Sequence, residues 1–449
     1  MFERILIANR GEVAVRVIRA ARQMGIETVA IYSEADVGAL HCREADSAVC
    51  VGGPQSAESY LNMESILQAA SQTEAKAIHP GYGFLSENAL FAACCRQHKI
   101  TFIGPGPRAI RLMGDKATAR RTMQAAGLPV IPGSEGVVST VAEAKKLATD
   151  VGYPVLLKAT AGGGGKGMRV CRDDAALATN FLQASTEAAK AFGNGGLYLE
   201  KLIEQCRHIE FQFLADALGH VVHLGERECT VQRNHQKLVE EAPSTKVSPQ
   251  LRAELGEKVC AAARAIGYVG AGTMELLRDV SGKLYFMEVN SRLQVEHPVT
   301  EMVTGFDLVQ EQIRVAAGHA VSMTQEQVRL TGHAIECRIN AEDPFDGFKP
   351  CPGLVECFEP PGEVGGARVR VDTHVTSGTR IPVYYDSMIC KLIVHGDDRE
   401  QARDGMLAAL RQFRVEGVKT TIPLLSRILE SREFSSGSYD TGLVAQLLG

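Results

Sequence analysis

Pro154-Val155-Leu156-Leu157-Lys158-Ala159-Thr160-Ala161-Gly162-Gly163-Gly164-Gly165-Lys166-Gly167-Met168 is the stretch on which the reading of the fold turns. Its apolar opening reads as a strand that ends at Lys158. Four successive glycines then free the backbone to present several N–H groups to one anion, and the flanking lysines add charge. The Walker A pattern fails, because Thr160 stands where its first Gly belongs and Gly167 where its Ser or Thr belongs. A flexible surface linker would carry the same glycines. Two lysines bracketing the run after a buried strand favour a phosphate loop of another kind.

Upstream, the pattern predicts a strand over 4–8, a helix over 13–23 and a strand over 28–32, followed by helices over 63–70 and 90–97 and strands over 77–79 and 101–104. That alternation predicts a parallel α/β lobe over residues 1–113. Only Gly11 follows the first strand, so a Gly-x-Gly-x-x-Gly dinucleotide motif is lacking. Gly and Pro concentrate between Gly127 and Ser139 and mark a hinge into a smaller piece, 131–203, that could move as a lid within a second region, 114–330. Alternating strands are expected to dominate from His208 to Val299. A third, strand-rich region, 331–449, is expected to close with a helix over 399–413.

Composition narrows the class. The 48 Lys and Arg against 53 Asp and Glu give a net charge of −5 without a block of like charge, which argues against a nucleic-acid or anionic-membrane surface. No apolar run approaches the roughly 18 residues needed to span a bilayer. The early arginines Arg10, Arg16, Arg19 and Arg22 are interrupted by Glu12 and preceded by Glu3, unlike a transit peptide. The 12 cysteines form no Cys-x-x-Cys pair, so reduced thiols and a cytoplasmic location are expected, without structural zinc.

A second constellation lies in Met274-Glu275-Leu276-Leu277 and Leu284-Tyr285-Phe286-Met287-Glu288, which read as a β-hairpin. A turn centred on Ser281-Gly282 would set Glu275 directly opposite Glu288. Like charges so placed destabilise a sheet. A cation between them removes that cost, and hard oxygen ligands, with Asn290 on the same face, suit Mg²⁺. Two solvated edge carboxylates are the plainer alternative. Beyond the hairpin, Glu288, Asn290, Arg292, Gln294 and Glu296 share one parity. A straight strand there would span roughly 26 Å, so the chain should curl after Asn290. Arg292 could then bind a small anion beside Glu296, a carboxylate placed to take a proton; a surface strand of mixed charge fits the same pattern. His208, Glu210 and Gln212, and again Glu336, Arg338 and Asn340, alternate with apolar residues and could line a shared cleft. Gln232, His235 and Lys237, after a strand, offer phosphate donors or form an exposed turn. His220 and His223 read as structural.

These residues resemble the biotin carboxylase component of biotin-dependent carboxylases, an ATP-grasp fold. The resemblance rests on the glycine loop, the paired glutamates and Arg-Leu-Gln-Val-Glu-His-Pro-Val-Thr-Glu at 292–301. Further matches are Ile-Ala-Asn-Arg-Gly-Glu at 7–12, His-Pro-Gly-Tyr-Gly-Phe-Leu-Ser-Glu-Asn at 79–88, Met-Gly-Asp-Lys at 113–116, Glu-Cys-Arg-Ile-Asn-Ala-Glu-Asp at 336–343 and Tyr-Asp-Ser-Met-Ile at 385–389. It implies a Rossmann-like N-terminal α/β domain, an ATP-grasp domain with a mobile lid, and a strand-rich C-terminal domain. It further implies that Lys116, Lys158, His208, Gly164 and Gly165 hold ATP, that Glu200, Lys201 and Ile203 border its adenine, and that Gln232, His235 and Lys237 complete that site. Glu275, Glu288 and Asn290 would carry Mg²⁺, with Mn²⁺ as an alternative. Arg292, Gln294, Val295 and Lys237 would hold bicarbonate, Glu296 would deprotonate it, and Arg338 with Tyr82 would attend the ureido group of biotin. The implied chemistry is phosphoryl transfer to bicarbonate, giving carboxyphosphate as the source of CO₂.

No methionine is followed by Lys, so the biotin-bearing Met-Lys motif is missing and biotin is expected on a separate carrier protein, with carboxyltransferase subunits and a second copy of this chain as further partners. Three departures from the family pattern stand out. Asn234 replaces an Arg, Cys390 replaces a smaller Gly or Ala, and Gly362 to Arg368 matches poorly. Acetyl-CoA, other acyl-CoA, pyruvate and urea carboxylases share this component. Rival readings are an ATP-grasp ligase that activates another acid, and a non-catalytic ATP-binding regulatory module.

Overall fold

The computed structural model describes residues 1–159, 168–192 and 195–449. At the N-terminus β1 (Arg4–Ile7), β2 (Glu27–Ser33), β3 (Ser47–Gly52), β4 (Ala77–His79) and β5 (Thr101–Phe102) form a parallel sheet in the order β3-β2-β1-β4-β5. Ile5, Leu6 and Ile7 are fully buried, as a strand covered on both faces requires. Helix α1 (Gly11–Gln23) follows β1 and buries Val13, Val17 and Ile18 in a core shared with Leu293, Leu308 and Ile313, so the N-terminal lobe is packed onto the middle of the chain.

Three antiparallel strands, β6 (Val155–Ala159), β7 (Arg169–Cys171) and β8 (Leu197–Lys201), make the smaller piece in the order β7-β6-β8, covered by helices Val141–Val151 and Asp174–Phe192. The largest sheet has eight antiparallel strands. It begins with β9 (Arg207–Ala215), β10 (Val221–Arg233), β11 (Gln236–Ala242), β12 (Gly270–Arg278), β13 (Leu284–Asn290) and β14 (His333–Asn340). Their order is β13-β12-β9-β10-β11-β14, continued by the strands Met388–Gly396 and Arg368–Thr373. The pairing of β11 with β14 carries this sheet unbroken from the central region into the C-terminal one.

Strands dominate from His208 to Val299 as expected, but helix Pro249–Ile266 interrupts them, and helix His297–Thr304 begins before the end of the run. The first helix is capped by Ser248, whose side chain accepts from the Leu251 amide, starts on Pro249 and ends at Gly267 with φ +67°. Leu255, Val259, Cys260 and Ala263 bury its inner face. Contrary to expectation, the C-terminal region does not close with the helix Arg399–Gln412, since helices Ile422–Glu430 and Leu443–Leu448 follow and fill the same core. Cys390 is fully buried in that core, opposite Ile339 and Thr373. Among the described residues no helix is long and apolar enough to cross a membrane, and all 12 cysteines are free.

Candidate functional site

Glu275 does face Glu288, but not through the symmetrical turn expected from the sequence. Near the turn Leu277 pairs with Tyr285 and Arg278 with Leu284, closed by Asp279 N–H on the Lys283 carbonyl at 2.9 Å. A bulge between the Glu275 and Leu276 pairs then takes up Met287 and brings the two glutamates into register. Their environments differ. Glu275 accepts from Lys237 Nζ at 3.2 Å and Asn290 Nδ2 at 2.8 Å, and His208 Nε2 stands 3.1 Å from its other oxygen. Burial opposes its ionisation, yet Lys237 and His208 hold it well below the usual range. Glu288 has no ion-pair or hydrogen-bond partner among the described residues. Burial and the Glu275 charge push it up, against Lys116 and Lys158. That residual repulsion is what a divalent cation would relieve, and two carboxylates are the hard donors Mg²⁺ takes. Asn290 is already engaged: its amide props Glu275, and its oxygen accepts from Arg292 at 3.1 Å.

Lys237 lies at the centre of the acidic cluster, 2.7 Å from Glu210, 3.2 Å from Glu275 and 2.5 Å from Glu296. It does not lie beyond a strand, as the sequence suggested. It is in β11, directly across the hairpin from Gln232 in β10. The two turn residues, Asn234 and His235, both have positive φ, +48° and +68°. Asn suits that first position, where Arg would be strained, so the departure at 234 has a conformational reason. Glu210, Cys229 and Glu296, and separately His208, Glu210 and Glu275, lie close enough to share a metal, but the Lys237 ammonium already sits among their carboxylates.

The chain curls after Asn290, where β13 ends, and Glu296 immediately precedes helix His297–Thr304. Within the loop, Arg292 donates to Glu87 at 3.0 Å, to Gln294 Oε1 at 3.0 Å and to the Leu293 carbonyl at 3.1 Å. Glu296 is fully buried between Lys237 and Arg338 Nη2, the latter at 2.9 Å. Desolvation raises its pKa, but Lys237, Arg338 and Arg227 together hold it well below the usual carboxylate range. Arg338 also binds Glu240, through Nε at 2.6 Å. Tyr82 is set by Asn9, whose amide donates to the Pro80 and Tyr82 carbonyls at 2.7 Å each. A Cβ at Gly81, φ +61°, would come within 2.9 Å of that amide.

On the opposite side, Lys116 starts helix Lys116–Ala125 and Lys158 projects from β6. Desolvation lowers the Lys116 pKa, with Lys158 adding to the effect and Glu288 opposing it. Glu200 binds Lys158 at 2.6 Å, so it neutralises one of the cations expected at the phosphates. The Lys201 ammonium is spent on the Gly152 and Tyr153 carbonyls, at 2.9 and 2.7 Å. Gly164 and Gly165 lie outside the described residues. Lys166 lies outside them too. Of the remaining residues singled out from the sequence for a site role, all line one cleft of about 1310 Å³ except Glu210, Gln212 and Glu336, which were expected to line it and are instead fully buried beneath it. Sequence reasoning missed Arg227, Glu87, Glu240 and the tail residue Thr441, which borders the cleft with Cys206. Arg227 is fully buried on Glu210, Gln212 and Thr300. Glu87 was within reach, since it belongs to the 79–88 motif.

Comparison with known proteins agrees over the full length. Residues 1–110 match the family described as Biotin carboxylase, N-terminal domain, residues 115–324 match Carbamoyl-phosphate synthase L chain, ATP binding domain, and residues 336–446 match Biotin carboxylase C-terminal domain. A Biotin carboxylase from Nostoc sp. is 56% identical over 99% of each chain. The biotin carboxylase domain dimer of Hydrogenobacter thermophilus 2-oxoglutarate carboxylase, solved with MgADP, ADP and bicarbonate, has a TM-score of 0.95 at 50% identity, covering 100% of this chain and 99% of that one. Biotin carboxylase from Campylobacter jejuni, solved as a β,γ-ATP complex, has a TM-score of 0.96 at 47% identity over 99% of each.

Proposed function

The chain belongs to the biotin carboxylase family, and from that membership we propose that the cleft carries out the Mg-ATP-dependent carboxylation of biotin by bicarbonate. It is an ATP-dependent carbon–nitrogen ligase of ATP-grasp fold. The observation that carries the assignment of roles is Glu296, a fully buried carboxylate gripped by Lys237 on one oxygen and Arg338 on the other.

ATP lies between the β6–β8 sheet and the large sheet, its phosphates toward Lys116, Lys158, His208 and the Gly164-Gly165 backbone. Glu200, Lys201 and Ile203 border the adenine, and Gln232, His235 and Lys237 complete the site. Mg²⁺ held by Glu275 and Glu288, with Asn290, would neutralise charge on the phosphate oxygens. Arg292, Gln294, Val295 and Lys237 hold bicarbonate. While Lys237 and Arg338 point at Glu296 it is a poor base. It gains basicity when those cations turn toward substrate oxygens, so proton removal waits for a filled site. Bicarbonate oxygen then bonds the γ-phosphorus as the bond to ADP breaks. The carboxyphosphate splits into CO₂ and phosphate, phosphate takes the ureido proton, and Arg338, with Tyr82, stabilises the enolate that attacks CO₂. Residues 131–203 act as a lid that keeps water from the carboxyphosphate.

Three functional domains, 1–113, 114–330 and 331–449, divide the work. Biotin arrives on a carrier protein and leaves to carboxyltransferase subunits, and the chain pairs as a homodimer in the cytoplasm. The final acceptor is acetyl-CoA, with another acyl-CoA, pyruvate or urea as alternatives; the 2-oxoglutarate carboxylase relative widens that set. The test is ATP hydrolysis by the purified chain with Mg²⁺, bicarbonate and free biotin. Turnover should require bicarbonate and rise with biotin. Stimulation only by ammonia or an amino-imidazole would make it a ligase for another acid, and nucleotide binding without turnover would make it a regulatory module.

A further inference from the structure

One buried side chain outside the reaction scheme joins two cleft-lining segments that come from different lobes. Lys391, in the strand Met388–Gly396, is fully buried and sits directly opposite Arg338 of β14. Its ammonium donates to the Val295 carbonyl at 3.0 Å and lies 3.1 Å from Glu12 Oε2, with Asp372 farther off at 3.9 Å. Glu12 is in the first turn of α1, and its other oxygen accepts the Tyr82 hydroxyl. A desolvated ammonium persists only where its partners are fixed. These partners come from two separate lobes: the loop that ends in Glu296, and the N-terminal helix that holds Tyr82.

The Val295 carbonyl shares a rigid plane with the amide of Glu296. Holding that oxygen therefore fixes the plane from which the Glu296 side chain departs. The same ammonium neutralises Glu12, leaving its second oxygen free to orient the Tyr82 phenol. Resting on the function proposed above, we infer that Lys391 is a positioning residue that sets the bicarbonate loop and the biotin-side Tyr82 in register with one another.

The test compares wild type with Lys391→Met and with Lys391→Met/Glu12→Gln, the second variant avoiding an orphaned buried carboxylate should the first fail to fold. KM for bicarbonate and KM for free biotin should rise together, about tenfold, with KM for ATP within about twofold of wild type. Hydrogen exchange should quicken in residues 80–84 and 291–297 and stay unchanged in the β12–β13 hairpin. A matching rise in KM for ATP, movement of one segment alone, or unchanged exchange in both segments would overturn the inference. A wild type without bicarbonate- and biotin-dependent turnover would instead sink the functional reading, and the exchange comparison would then decide the positioning role by itself.

Discussion

Glu240 and Glu241 are neighbours in β11 and open onto two different ionic clusters. Glu241 is saturated: His333 Nε2 lies at 2.7 Å, Arg399 donates through Nε at 2.6 Å and Nη2 at 3.1 Å, and the Tyr439 hydroxyl donates at 2.5 Å. Against burial, His333 and Arg399 hold its pKa down at about 2. Glu240 is fully buried on the side of the cleft residue Arg338, which binds one of its oxygens while the other has no hydrogen-bond partner among the described residues, and it lies directly across the sheet from Glu336, whose two buried oxygens likewise have none. Burial pushes Glu240 to about 7, with Arg338 opposing, and pushes Glu336 well above its usual range, opposed by Lys391 and aided by Glu240. The tail-side cluster is complete in itself. The cluster on the Arg338 side keeps unmet acceptors whose burial disfavours ionisation, next to a residue that lines the cleft.

This contrast can be broken at four points. The largest effect is expected at Glu296→Gln, which removes the proton acceptor: biotin carboxylation should fall about a thousandfold while ATP binding is retained, and near-wild-type carboxylation would remove Glu296 from the chemistry. Next is Glu241→Gln on the saturated side, where the depressed pKa amounts to about 3 kcal/mol of folding stability. Because the folded pKa lies below the unfolded one, that stability is complete above the ordinary Glu range and disappears as pH falls toward 2. Urea denaturation should show the variant weaker at neutral pH and converging with wild type in acid; a constant gap across pH would mean charge is not the cause.

Glu288→Gln should raise the Mg²⁺ concentration needed for half-maximal activity about tenfold; superimposable metal titrations would place the cation elsewhere. The smallest effect is expected at Glu336→Gln. A carboxyl whose folded pKa is raised gives up stability as pH climbs past its unfolded value, so the substitution should stabilise the fold near neutrality, by about 1 kcal/mol. Destabilisation there would show that Glu336 is ionised and paired.

What was legible in the sequence follows from range. The facing glutamates, the curl after Asn290 and the βαβ opening are local patterns, carried by spacing within about thirty residues. The bulge at Met287 was hidden because pairing arithmetic assumes an unbroken ladder. Arg227 escaped notice because its partners Glu210, Thr273 and Thr300 lie in separate segments, and Lys391 because Glu12 is at the opposite end of the chain. The helix Pro249–Ile266 did carry its signals, Ser248-Pro249 at the start and Gly267 at the end, but neighbouring alternation outweighed them. Local chemistry marks which residues are polar without showing which will remain unsatisfied.

The continuous large sheet has a consequence for synthesis. β11 ends at Ala242 and its neighbour β14 begins only at His333, about ninety residues later on the ribosome. At roughly 5–20 residues per second the nascent chain bears a bare strand edge for seconds. Glu240 and Glu241, one on each face of that edge, are the kind of charge that discourages a neighbouring polypeptide from zipping onto it. The acids that end up in two separate ionic clusters are thus also placed where their charge disfavours pairing along that edge.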